Sequence, residues 1–147
     1  MARSTVYNDI VTDELYEKVN EDNKELLEDF IEYLYSTDKS ELTIVNYTSD
    51  IKICFIWCLK HAKNKYFIDF TKRDIMKYQN WLLNKLNLSS SRVRRLRSAI
   101  SSMSNFIENI LDDDFPDFRN IVNKIPAPVN QPVREKTVFE DEDLEEL

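Results

Sequence analysis

None of the 147 residues of this chain is glycine. That absence limits the fold more than any residue the chain contains. Two-residue hairpin turns depend on glycine for their positive φ angles, so a β-rich architecture is disfavoured. Dinucleotide fingerprints, phosphate loops and nucleophile elbows are built on glycine, so nucleotide-binding α/β folds and α/β hydrolases are excluded. At this length a single domain buries about 70% of its unfolded surface. A hydrophobic share of 42% supplies an ordinary globular core and is too high for a disordered chain. No continuous apolar run approaches the ~20 residues of a membrane span. The first fifteen residues carry no signal-peptide apolar core. With two cysteines and no sign of export, a disulfide scaffold is disfavoured and a reducing cytosol is the default.

Apolar spacing predicts an all-α bundle of four main helices, preceded by a short acidic helical segment over 11–19. In the first main helix Leu26, Leu27, Phe30, Ile31 and Leu34 form one stripe, with Asp22 as cap and Glu25 completing a capping box. The second spans about 40–64. One of its faces carries Ile44, Tyr47, Ile51, Cys54, Cys58 and Ala62. Val45, Ile53, Ile56, Trp57 and Leu59 make the rest apolar, which suits the centre of a bundle. The third opens on a Thr71-x-x-Asp74 cap and continues through Ile75, Tyr78, Leu82 and Leu86. The fourth starts among Ser89, Ser90 and Ser91, and its core stripe is Val93, Leu96, Ile100, Met103, Ile107 and Ile110. Pro116 can open a short helix through Val122. Pro126, Pro128 and Pro132 then mark an extended linker. The acidic stretch 137–147 can begin one more helix. No internal repeat is present.

Formal charge is unevenly placed. The net value of −7 hides a segment, residues 75–107, with six basic and no acidic side chains. Residues 1–35 carry −7 and residues 108–147 carry −8. A basic middle between acidic ends suggests a polyanionic partner for the middle only. In the fourth helix, Arg94, Ser98, Ser101, Ser102 and Asn105 face away from the core stripe, flanked by Arg95 and Arg97. A merely solvated face would mix charges of both signs. Small hydroxyl and amide groups instead let a helix backbone approach phosphates and base edges, and a major groove admits one helix.

Other constellations read as structural. Cys54, Cys58 and His61 share a helix face, but that face is the core stripe and the fourth ligand of a metal site is missing. Buried cysteines acting as small hydrophobes fit better. The carboxylate runs 112–114 and 140–143 lack the alternation of a calcium loop. One histidine, and no serine or cysteine with a recognisable base, give nucleophilic catalysis no support. Tyr33, Phe55, Trp57, Phe67, Trp81 and Phe106 fit a core better than a base-stacking platform.

Four motifs, in order, resemble the core-binding, SAM-like N-terminal domain of phage-integrase-type tyrosine recombinases. The first is Phe30-x-x-Tyr33-Leu34. The second is Thr43-x3-Tyr47-x2-Asp50-Ile51, continuing to Trp57. The third is Thr71-x2-Asp74-Ile75-x2-Tyr78. The fourth is Ser89-Ser90-Ser91 followed by Arg94-Arg95-Leu96-x-Ser98-Ala99-Ile100. The match spans about residues 25–125. Val138-Phe139-Glu140-Asp141-Glu142-Asp143-Leu144 is similar to the opening of the family's catalytic domain. Expected boundaries are therefore 1–22 for an acidic extension, 23–125 for the core-binding domain, and 126–147 for a linker and the start of a catalytic domain. Twenty-two residues ahead of the bundle are too few for a separate arm-binding domain.

The resemblance implies no catalytic residue, no metal and no cofactor in this stretch, since the family's Arg, Lys, His-x-x-Arg and Tyr belong to the next domain. His61 is followed by Ala62-Lys63-Asn64 and is no His-x-x-Arg. The resemblance implies a double-stranded DNA core site clamped by the second and fourth main helices. It also implies two kinds of protein partner, the protein's own catalytic domain and other recombinase protomers, and no membrane. It further implies a bacterial or phage-encoded protein, cytoplasmic and nucleoid-associated. On this sequence Thr43, Asn46 and Tyr47 would lie near the DNA backbone, although Tyr47 also sits on the Ile51–Cys54 stripe and can equally be core. Ser89, Ser90 and Ser91 would offer helix N-terminal amides to phosphate. Arg92, Arg94, Arg95 and Arg97 would supply charge, and Ser98 and Ser101 would approach base edges. Ser101 and Ser102 stand where many relatives have Arg or Lys. Two other readings remain, a protein-interaction (oligomerisation) module of a recombinase and a stand-alone helical regulator that dimerises on a palindrome.

Overall fold

A computed structural model describes residues 7–129. Among these residues every regular element is helical. A turn over residues 7–10 leads to α1 (Asp13–Glu17), followed by α2 (Glu21–Ser36), α3 (Glu41–His61), α4 (Lys72–Asn80) and α5 (Ser90–Ile110). The last four are the main helices that the spacing predicts. The later part of the expected linker and the catalytic-domain opening, over 130–147, lie outside the described residues.

Helix starts follow local side-chain chemistry. Ser40, Thr71 and Ser89 each accept a hydrogen bond from the amide three residues on, and Asp74 returns the bond to Thr71 to close a capping box. The cap of α2 differs from expectation. Asn20, not Asp22, accepts from the Asn23 amide at 2.7 Å. The reason is long-range: the Asn20 amide donates to Asn64 Oδ1 at 3.1 Å, and Asn20 Nδ2 donates to the Asn64 carbonyl at 2.8 Å. Buried Asn23 continues the clasp by donating to the Lys65 carbonyl and accepting from the Phe67 amide. The start of α2 is thereby tied to the turn that ends α3.

α3 is the centre of the bundle. Residues 53–58 are all 2% exposed or less, because α2, α5 and the aromatic segment 66–70 close around them. By length and composition alone α3 could cross a membrane, with mean hydropathy 1.2 in its most apolar window. Its burial among the other helices accounts for that hydropathy. At its outer end Leu42 and Val45 face solvent. Cys54 and Cys58 are free, buried thiols. Burial pushes Cys58 up to about 11 and Cys54 well above its ordinary value. On α5, Val93, Leu96, Ile100, Met103 and Ile107 are fully buried, while Ile110 at the last position is half exposed. Ile10, Val11 and Val19, ahead of α2, join the same core.

Three local features depart from the simple helical pattern. α4 passes into a π-turn over Trp81–Lys85, where the Leu86 amide reaches back five residues to the Trp81 carbonyl at 3.0 Å. No helix runs from Pro116 through Val122; turns lead instead to a 3-10 turn at Val122–Lys124. The Asn120 side chain is the cause, accepting from the Val122 amide and donating to Ser101 and Asn105 of α5. Finally, Asp38, Lys63, Asn64 and Asn87 carry positive φ. These are turn positions after helices where glycine is usual, filled here by other residues.

Candidate nucleic-acid interface

The first turns of α3 and the first turns of α5 come together along a polar groove of about 530 Å³. Thr43, Asn46, Tyr47 and Asp50 line it from α3, and Ser91, Arg94, Arg95 and Ser98 line it from α5. Both sets follow i, i+3, i+4, i+7 spacing, one face per helix, exposed on α5 and partly buried on α3. Seven of these eight side chains are ones singled out in the sequence. The eighth, Asp50, was named in the family motif but given no site role, although its place seven residues beyond Thr43 put it on the same face.

Arg94 and Arg95 stand exposed at the rim and make no hydrogen bond or ion pair within the described residues. Tyr47 belongs to core and groove together. Its ring packs edge-on against Phe30 at 5.8 Å, and its hydroxyl lies 3.4 Å from Ser102 Oγ. Asp50 forms the floor at 5% exposure. It acts electrostatically on the buried Tyr78 hydroxyl, as does Arg92 with opposite sign. Burial, the larger influence, holds Tyr78 well above its ordinary pKa.

The other candidates are placed differently. Ser89 caps α5, which takes the Arg92 amide out of the donors open to a ligand. Ser90 is buried. The Arg92 guanidinium turns inward, with Nε and one terminal nitrogen buried. Arg97 donates to Gln79 Oε1 at 3.2 Å, and partial burial lowers its pKa. Gln79 in turn donates to the Pro126 carbonyl at 2.9 Å. Ser101 is covered: its hydroxyl takes the Asn120 amide at 3.1 Å and faces Asn123 at 3.4 Å. Residues 120–126 thus strap the second half of α5, and the open basic surface is its first half. Sequence reasoning missed Asn120, a lone polar residue in a turn region with no spacing to mark it.

A helical bundle presenting a groove flanked by two unpaired arginines, between two helix N-terminal halves, defines a class of small α-helical domain with a cation-rimmed polar groove. The comparisons make the class specific. Residues 26–117 match the family described as phage integrase, N-terminal SAM-like domain, and the chain belongs to that family. It is 31% identical over 120 residues to the SPbeta prophage-derived recombinase-like protein YomM of Bacillus subtilis (strain 168). That match covers 80% of this chain and 35% of the relative, so the chain spans about a third of the relative's length. No solved structure matches the chain.

Proposed function

We propose that this chain is the DNA-binding part of a site-specific tyrosine recombinase. It holds one face of a core-site duplex in the groove between α3 and α5, and a separate catalytic domain cuts and rejoins the strands. One observation carries the reading: two unpaired arginines of α5, from a segment (residues 75–107) that has no carboxylate, flank a polar groove whose other wall is α3. Family membership supports it, as does the recombinase-like name of the relative. In this reading Arg94 and Arg95 meet phosphates, while Thr43, Asn46, Ser91 and Ser98 approach sugar, phosphate or base edges. The partners are duplex DNA, the catalytic domain and other protomers, in a bacterial or phage-infected cytoplasm.

The test is fluorescence anisotropy of a random-sequence duplex across a salt series. Neutralising about four to six phosphates gives a slope of log K on log salt near −4 to −5, or about a 250- to 1,000-fold loss between roughly 50 and 200 mM salt. Affinity of one small module alone is modest. No salt-sensitive binding at low ionic strength would overturn the reading and turn attention to protein docking on this face. Sedimentation over a concentration range would then register self-association.

A further inference from the structure

Resting on that reading of the groove, we infer that Arg92 is the counter-ion of Asp50 and not a phosphate ligand: the pair ties α3 to α5 beneath the groove and withholds the carboxylate's charge from the duplex. Among the described residues Asp50 is the one buried charged side chain. A carboxylate that has given up its water stays ionised only beside a partner. The Arg92 guanidinium has the complementary need. It is charged at every ordinary pH, and its Nε and one terminal nitrogen are buried. Both side chains are engaged within the fold.

The packing of α3 on α5 brings the two together. Asp50 shares the groove with Ser91, the chain neighbour of Arg92. Both charges act on the buried Tyr78 hydroxyl, with opposite signs. Other carboxylates are placed elsewhere. Residues 75–107 have none. Glu41, the other acid of α3, is exposed and accepts from the Tyr35 hydroxyl at 2.8 Å. Asp74 is taken by the Lys65 ammonium and the Thr71 amide. The acids at the far end of α5 begin at Glu108, about 24 Å from Arg92 at the helical rise. Asp29 of α2 lies near Asp114, at that same far end.

The pair matters to a duplex through charge. A bare carboxylate at the floor would repel the phosphates that Arg94 and Arg95 attract. With Arg92 beside it the floor carries no net charge, and the exposed rim sets the field. Arg92 therefore acts on binding through Asp50.

The experiment is a double-mutant cycle on the full chain: Asp50→Asn, Arg92→Gln and both together. Urea unfolding and anisotropy with a random-sequence duplex read each variant. In unfolding the changes should be non-additive, the double variant losing less than the sum of the singles. In binding, Arg92→Gln should weaken affinity about three- to tenfold, the repulsion of one bare carboxylate for nearby phosphates. Arg92→Lys, which keeps the charge, should lose less. The double variant, neutral at both positions, should regain the parent's salt slope and most of its affinity. A phosphate-bound Arg92 gives the opposite: the double variant stays weak, with its slope reduced by about 0.9. That result overturns the inference, as does an unchanged affinity in Arg92→Gln. Should Arg92→Gln fail to fold, the slope of the double variant and the affinity of Arg92→Lys decide in the same way. Strictly additive unfolding overturns the pair, whatever the binding. Absence of binding by the parent overturns the DNA-binding reading and the shielding role with it, while the unfolding cycle still decides the pair.

Discussion

Replacing Arg94 and Arg95 together by alanine isolates the electrostatic part of the groove. Both guanidinium groups are exposed and unpaired within the described residues, so the fold loses no contact with them. Surface changes of this kind move stability by about 0.5 kcal/mol or less, and alanine is the better helix former. The melting temperature should therefore stay within about 2 °C of the parent. DNA binding should not stay. Each phosphate contact contributes about 0.9 to the salt slope, so losing two takes a slope of −4 to −5 to roughly −2 to −3. The basic side chains that remain leave the residual slope. Charge reversal, Arg94→Glu with Arg95→Glu, goes further and abolishes binding, because two like charges now face the phosphates. Anisotropy over a salt series reads both variants, and circular dichroism confirms folding. An unchanged slope in the alanine pair would refute the placement of the duplex on the first half of α5.

Three further outcomes follow from the described contacts. Asn120→Ala removes the side chain that bridges Ser101, Asn105 and the Val122 amide. It should cost about 1–3 kcal/mol, and hydrogen exchange should rise over residues 116–126 before it rises in α3. Asp74 is partly buried, which alone would raise its pKa, but the Lys65 ammonium at 2.8 Å and the Thr71 amide hold its carboxyl below the ordinary value of 3.8. Its contribution is present above that ordinary value and is lost as pH falls through the lower folded value. The difference between parent and Asp74→Asn in urea unfolding, about 1 kcal/mol near neutrality, should vanish in acid. The thiols of Cys54 and Cys58 are buried and shifted upward. At pH 7 roughly one Cys58 thiol in ten thousand is ionised, so a thiol reagent should label the native chain at the rate of opening and both cysteines at once in urea.

Local chemistry made most of the bundle legible in advance. Ser40, Thr71 and Ser89 cap helices through bonds three residues away, and the stripe from Val93 to Ile107 repeats at helical spacing. Each is a short-range signal, complete within one turn or one face. What was not legible depends on contacts far along the chain. Asn20 displaces Asp22 as a cap because Asn64 is there to hold it. The helix expected after Pro116 gives way because Asn120 finds three acceptors on α5. In the groove, spacing located the outward face of α5 with Arg94 and Ser98, while Thr43 and Asn46 of α3 came from the family resemblance. Spacing could not tell that Arg92, two residues from Arg94, turns inward beside Tyr78, because depth depends on which helix lies opposite.

The missing glycines also shape the state from which the chain folds. A chain of this length and average composition would carry about ten glycines, each widening the unfolded ensemble by an amount worth about 0.4–1 kcal/mol relative to alanine. Their absence narrows that ensemble by roughly 4–10 kcal/mol. Against it stand Asp38, Lys63, Asn64 and Asn87, held at positive φ at a cost of about 1–2 kcal/mol each, less for Asn and Asp. Three of the four are Asn or Asp, so the strain is the smaller amount. The strain is concentrated at three turns, Lys63 and Asn64 sharing one, whereas the gain is spread along the whole chain. Stability of this bundle is therefore set partly by how few shapes its unfolded chain can take, and glycines introduced elsewhere in its helices would erode it even where they touch nothing.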